Sequence, residues 1–531
     1  MMKRRNFLRL TSIGLFSLAT GGLAACQSKP LTAPTVVQSG GVPVPSVSTV
    51  TESAATSVDD FVLDVALTAI EDSVALVGEQ LTQVWRYVGE VTQGDPAALV
   101  HDLVSYLGPT FRVQQGQRVR ITFKNELPVP SGIHWHGLLV PERMDGHPRD
   151  HVASGETYIY DFVVQNRAGT YWYHPHPDRT TGGQVYRGLA GLFIVSDEEE
   201  AALPLPRDEQ DISLVIQDRM IDDAGRLVYG GNDPVRGATD EGFYGNGHTQ
   251  SMGMTGNQIL VNGQPDYAVA TATAAHRIRV LNGSNARTYV LAWSDQSPLT
   301  VIGTDGGLLE APVERPYVIL GPAERVELWA DFRTAEADSE IALISYAMGG
   351  GDPFLIARFS FNRAASESLS LPERLTQFAP LTLRDAINGE IPRTFQLGAS
   401  QASWSINGRT FELEGVADDE RVQLNTAEVW EFINDGSGGG MLMSHPMHIH
   451  GVQFRVIERQ MPGTDPENWA SIQAGYVDDG WKDTVTVMAG ERVKVLMRFA
   501  AHAGLYLLHC HLLEHEDFRM MRNFLIEESG A

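Results

Sequence analysis

Residues 116–140 read GQRVRITFKNELPVPSGIHWHGLLV, and residues 427–456 read AEVWEFINDGSGGGMLMSHPMHIHGVQFRV. Each opens on a run in which β-branched and aromatic residues alternate with polar ones, passes through a turn rich in Pro or Gly, and closes on two histidines one residue apart followed by glycine. Alternation with a period of two marks a half-buried strand, and the Gly and Pro clusters mark the turns between strands. A second pair of segments repeats in the same order. RAGTYWYHPHP at 167–177, followed by GLAGLFIV at 188–195, has its counterpart in HAGLYLLHCHLLEHEDFRMMRNFLI at 502–526. The first and last thirds of the chain thus read as copies of one β unit. Between them, residues 257–291 keep the strand-and-turn pattern, echoed by ASWSINGRTFEL at 402–413, but carry no paired histidines. The pattern predicts an all-β protein of three related β-sandwich domains, at 58–199, 205–363 and 370–531, with metal ligands confined to the outer two.

At 531 residues the chain is too long for a single hydrophobic core. Its 43% hydrophobic and 20% charged composition is that of an ordinary globular protein. A net charge of -26 argues against a nucleic-acid or anionic-membrane surface, which needs clustered Lys and Arg. Two cysteines cannot hold the fold together by disulfides. Residues 1–26 read as an export leader: the twin arginines Arg4 and Arg5, a short apolar stretch, and LAAC ending at Cys26, which is similar to a lipoprotein processing site. Residues 27–57, rich in Ser, Thr, Pro and Gly, read as a flexible tether. The expected location is therefore outside the cytoplasm, in the periplasm or on the cell surface, with a lipid on Cys26 as the only membrane contact.

Ten of the 16 histidines fall in four clusters: His134 and His136; His174 and His176; His445, His448 and His450; and His509, His511 and His515. Residues two apart on a strand face the same way, so each H-x-H presents two imidazoles to one side. Four such pairs supply more nitrogens than one ion can take, which predicts a metal cluster where domains one and three meet. On the HCH strand Cys510 faces the other way. With His515, with His445 from another strand, and with Met520 as a weak axial ligand, it forms the His2Cys set of a blue-copper centre. Zinc also accepts thiolate and imidazole, but it has no redox role, and a cysteine bonded through the backbone to two cluster ligands suits electron transfer.

The four clusters, their order and their spacing resemble those of the multicopper oxidases, from about residue 60 to the C-terminus. The resemblance implies three cupredoxin-like Greek-key domains and four copper ions: one type 1, one type 2 and a type 3 pair. It implies His134 and His448 at the type 2 copper, and His136, His174, His176, His450, His509 and His511 at the type 3 pair. Cys510, His445, His515 and Met520 fall at the type 1 site. Asp145 and Glu516 match the carboxylates placed beside the cluster, where dioxygen reduction to water consumes protons. The alternative for Asp145 is a turn residue, and for Glu516 a surface charge.

The expected donors are phenols or aromatic amines, then Cu(I), then Fe(II) or Mn(II), with the enzyme working as a monomer. The copper-efflux cuprous oxidases often carry a methionine-rich insert before the third domain, whereas residues 349–400 here contain no methionine. Met441, Met443 and Met447 surround His445 instead, with Met443 at the methionine position of those oxidases and Met441 at that of their acid. Packing explains such methionines equally well. His248, Met252 and Met254 lie in a Gly-rich stretch that reads first as a surface connection. A protein that sequesters copper without turnover is the rival reading, and the completeness of the histidine set speaks against it.

Overall fold

The computed structural model describes residues 62–101, 105–230, 251–348, 351–365, 369–389, 391–400 and 403–528. The leader with Cys26, the tether and His248 lie outside them. Six sheets form three pairs, within 62–196, 211–364 and 393–527. Each of the six contains one parallel strand pair among antiparallel neighbours, a shared mark of the three units.

Sequence alternation translates directly into packing. In the strand Arg118–Asn125, Val119, Ile121 and Phe123 turn inward while Arg118, Thr122 and Lys124 face outward. With Tyr160 from the neighbouring strand they meet Trp135 and Phe193 from the opposite layer in an aromatic core. The third unit repeats this with Trp430, Phe432, Val493 and Val495 packed against Met447, Cys510 and Phe524. Helices are few and short: Thr181–Arg187, Glu198–Ala201, Pro466–Gln473 and Leu513–Asp517 among the described residues.

Smaller contacts join the units. Trp172, Leu192 and Ile194 of the first meet Val215, Leu281 and Ala323 of the second. Beside them runs a buried ionic network in which Glu327 pairs with Arg277 and Arg279 and accepts a 2.6 Å hydrogen bond from the Thr170 hydroxyl of the first unit. Tyr317 and Ile319 of the second unit pack on Ile472, Tyr476 and Met488 of the third. The first and third units meet where the Asp517 carboxylate accepts the backbone N–H groups of Thr181 and Gly182, both at 2.9 Å. That contact sets the helix Leu513–Asp517, with His515 and Glu516, against the first unit.

Candidate metal centres

The strand Gly504–Cys510 runs antiparallel to His445–Ile449, with Cys510 opposite Met447 and His509 opposite His448. Pleating sends Cys510 into the core of the third sandwich and His509 toward the first. The Cys510 Sγ stands 3.5 Å from His445 Nδ1 and 3.7 Å from His515 Nδ1, and those nitrogens are 3.3 Å apart. Met520 is fully buried in the same core. Its carbonyl accepts the Cys510 N–H at 3.0 Å, and its own N–H donates to the His515 carbonyl at 2.8 Å. Leu512 N–H donates to the sulfur at 3.4 Å. Burial pushes the Cys510 thiol well up and His445 down to about 3, with His515 also well down. The imidazoles are therefore neutral, with lone pairs free for a metal, and the thiol loses its proton only to an ion that replaces it.

The other eight histidines converge at the interface of the first and third units, all buried. His174 Nε2 lies 3.4 Å from His136 Nδ1 and 3.4 Å from His511 Nε2. His509 Nε2 lies 3.3 Å from His176 Nε2 and 3.0 Å from His450 Nε2. His134 Nε2 and His448 Nε2 face one another at 3.3 Å. The eight thus divide into two trios and a pair. Two nitrogens held by one ion at about 2.0–2.1 Å with tetrahedral angles stand about 3.3–3.4 Å apart, close to the spacing within each group.

Second contacts fix which nitrogen faces inward. His134 Nδ1 donates to the Asp145 carbonyl at 2.7 Å, His448 Nδ1 to the Asp483 carbonyl at 2.8 Å and His174 Nδ1 to the Pro175 carbonyl at 2.9 Å. His450 Nδ1 donates to Asp145 Oδ2 at 2.7 Å. His509 Nδ1 lies 3.2 Å from both the Cys510 carbonyl and Glu516 Oε2. His136 is turned the other way, with Nε2 3.0 Å from Asp483 Oδ1 and Nδ1 facing inward. Opposed inward nitrogens such as His134 with His448, or His450 with His509, therefore meet lone pair to lone pair, an arrangement that a cation between them resolves. Burial holds His136, His174, His176, His448, His450 and His511 well below the ordinary histidine range, which keeps them as neutral ligands.

Asp145 and Glu516 both sit against these rings. Asp145 is fully buried and bonds His134 and His450 together, so it is more than a turn residue. Glu516 is also buried, with Oε1 3.5 Å from His176 Nε2 and Oε2 3.2 Å from His509 Nδ1. Asp483 has no counterpart in the sequence reading. It occurs in GWKDTVTV, among residues of a strand start with no histidine nearby, and only the pairing of Thr484 with His448 brings it to the cluster.

Of the three methionines near His445, Met447 is buried in the core and Met443 packs against it, while Met441 is half exposed. Met254 is buried beside Tyr186 and Tyr229, and Met252 is exposed.

A mononuclear cysteine–histidine centre joined by one strand to a histidine cluster between β-sandwiches defines a copper oxidoreductase. Residues 97–200 and 386–530 match sequence profiles described as multicopper oxidase. A laccase of Bacillus stratosphericus is 31% identical over 83% of this chain and 90% of its own length. A bilirubin oxidase of Albifimbria verrucaria is 31% identical over 83% of this chain and 76% of its own length. The crystal structure of the McoA multicopper oxidase from the hyperthermophile Aquifex aeolicus superposes with a TM-score of 0.72 at 32% identity, covering 87% of this chain and 96% of that one. The chain belongs to the multicopper oxidase family: it has the cupredoxin-like architecture, and it is an oxidoreductase that uses copper and passes electrons from a donor to dioxygen.

Proposed function

We propose that this protein is an exported laccase-like oxidase that takes single electrons from phenols or aromatic amines at the His445 edge and reduces dioxygen to two waters. Copper supplies the one-electron redox chemistry and the site for oxygen: type 1 at Cys510, His445, His515 and Met520, type 2 at His134 and His448, and a type 3 ion at each trio. One observation carries this reading. Cys510 is bonded through the backbone to His509 and His511, which belong to different trios, so a single residue connects the donor side to both.

The donor class is supported by the surroundings of His445. A cleft of about 150 Å³, lined by Ser251, Ala399, Ser403, Trp404, Gly440, Met441 and Phe518, reaches the cysteine centre through Trp404. Trp404 stacks on His515 with ring centroids 3.9 Å apart and stands against His445 at 5.2 Å. Its lining holds two aromatic rings, one thioether and, among the described residues, no carboxylate, which suits an uncharged ring better than a metal cation. Met441 keeps Cu(I) as the second reading, since thioether sulfur binds it well.

Asp145 and Glu516 both stand against the trio of His176, His450 and His509, Asp145 also against His134, and neither Glu516 oxygen has a hydrogen bond of good geometry, so Glu516 is placed to accept a proton on its way to the cluster. Export by the twin-arginine route, a lipid on Cys26 and a monomeric state complete the proposal and rest on the sequence alone. The test is oxygen uptake by the copper-loaded mature protein with a phenol and with Cu(I) in parallel, after counting bound copper. About four coppers per chain and faster uptake with the phenol are expected. Faster uptake with Cu(I) overturns the donor assignment, and full occupancy with no uptake from either donor favours copper sequestration.

A further inference from the structure

The middle unit supplies no ligand to the metals, yet one of its side chains reaches the cluster. Arg325 lies on the strand Arg325–Asp331 and is about 1% exposed. Its guanidinium holds the Asp483 carboxylate as a two-pronged fork, Nη1 to Oδ1 at 2.7 Å and Nη2 to Oδ2 at 2.6 Å. The remaining donors go to carbonyls: Nε to Thr170 at 2.9 Å, Nη1 to Ala323 at 3.1 Å and Nη2 to Asp305 at 3.0 Å. All five N–H groups of the guanidinium are used. Thr170 belongs to the first unit, Ala323 and Asp305 to the second, and Asp483 to the third, so one planar group is tied to all three.

What the fork holds is the orientation of two ligands. Asp483 Oδ1 is the partner of His136 Nε2, and the Asp483 carbonyl is the partner of His448 Nδ1. The next residue reinforces both, because Thr484 Oγ1 lies 3.1 Å from His136 Nε2 and 3.2 Å from His448 Nδ1. The two rings stack face to face at 3.7 Å with only 12° between their planes. Gly137, which closes the HWHG motif, gives independent support. Its φ is +83°, and a Cβ there would lie 2.2 Å from Asp483 Oδ2 and 3.0 Å from Arg325 Nη2, so the backbone of the histidine motif is shaped to admit the fork.

We infer that Arg325 is a positioning residue for the cluster. Through Asp483 it holds the Nε2–H tautomer of His136, so that Nδ1 faces the metals, and it fixes the His136 and His448 rings in register. This rests on the copper assignment proposed above. Lysine cannot substitute, because an ammonium has three donors and no planar fork.

The experiment compares Arg325→Lys and Arg325→Met with the unaltered holoprotein by copper content, electron paramagnetic resonance and oxygen uptake. The cysteine centre makes no contact with Arg325, so the blue absorption serves as an internal control. Both variants are expected to keep it while the type 2 signal changes its hyperfine splitting or is lost, with oxygen uptake down about 10- to 100-fold. If Arg325→Met does not fold, Arg325→Lys carries the test alone, since it keeps the charge. An unchanged type 2 signal and copper content in Arg325→Lys overturns the proposal, and so does equal loss of the blue and type 2 signals, which marks a general loss of structure. Absence of a type 2 signal from the unaltered holoprotein instead overturns the copper assignment itself.

Discussion

Glu516 stands against the rings of one trio only, His176 and His509, while Asp145 bonds His134 of the pair and His450 of that same trio. Their contacts suggest two tasks: Asp145 holds tautomers through short hydrogen bonds, and Glu516, whose oxygens make only longer contacts to His176 and His509, is on the proposed reading the acid that passes a proton. Glu516→Gln keeps the shape and removes the proton site. The expected result is full blue colour and copper content with oxygen uptake reduced about 10- to 100-fold, read with an oxygen electrode on the loaded variant. Wild-type uptake would reassign Glu516 to structure. The histidines and Cys510 stood out in the chain as candidate ligands because their side-chain chemistry is rare and their two-residue spacing is visible, and the structure brings them together in groups that could hold metal. Asp483 and Arg325 were not, because an aspartate beside a lysine and an arginine at a strand start look like solvated charges until strand register buries them.

On the scale of the element, strand parity explains how one short motif serves two centres. His445 and Met447 face the cysteine core while His448 turns to the interface, so a single strand contributes to both sides. The alternation and the three-fold repeat predicted this, whereas the helix Leu513–Asp517, at five residues, is too short to leave a period in the sequence. The HIHG motif ends as HWHG does, on a glycine that geometry requires. Gly451 has φ +69°, and a Cβ there would stand 2.7 Å from the Tyr506 ring, whose hydroxyl donates to the Val140 carbonyl of the first unit at 2.9 Å. Gly451→Ala is expected to cost at least about 1–2 kcal/mol from the left-handed backbone alone. A denaturant titration of the apoprotein measures it. A midpoint equal to that of the parent would mean that Tyr506 gives way without loss.

The whole molecule carries its candidate metal ligands at a cost to the apoprotein. His136, His174, His176, His445, His448, His450, His511 and His515 are all depressed, first by burial. Above an unfolded-state value of about 6.5 they are neutral in both states and contribute nothing. Below it the unfolded chain takes up protons that the native one excludes, so apoprotein stability falls with pH by up to about 1.4 kcal/mol per histidine per pH unit. Denaturation midpoints at about pH 7.5 and about pH 5.5 should differ strongly for the apoprotein and less for the copper form, in which the ion competes with the protons. A flat apoprotein profile would show that these rings are not buried without metal. The linker after the second unit adds to the assembly, with Phe378 held between Arg167 of the first unit, 5.1 Å from its ring, and Arg455 of the third, 4.9 Å from it.

The interface cluster draws on both ends of the sequence, and this places its completion in time. His176 and His509, which share a trio, are 333 residues apart. At about 5–20 residues per second a ribosome needs roughly 20–70 s to get from the first to the second. For that interval the nascent chain holds at most six of the eight cluster histidines and no Cys510 to connect them. The full set of histidines is therefore assembled only after the C-terminal strand has been made, and a chain cut short by even its last twenty-five residues would lack one histidine from each trio together with the cysteine.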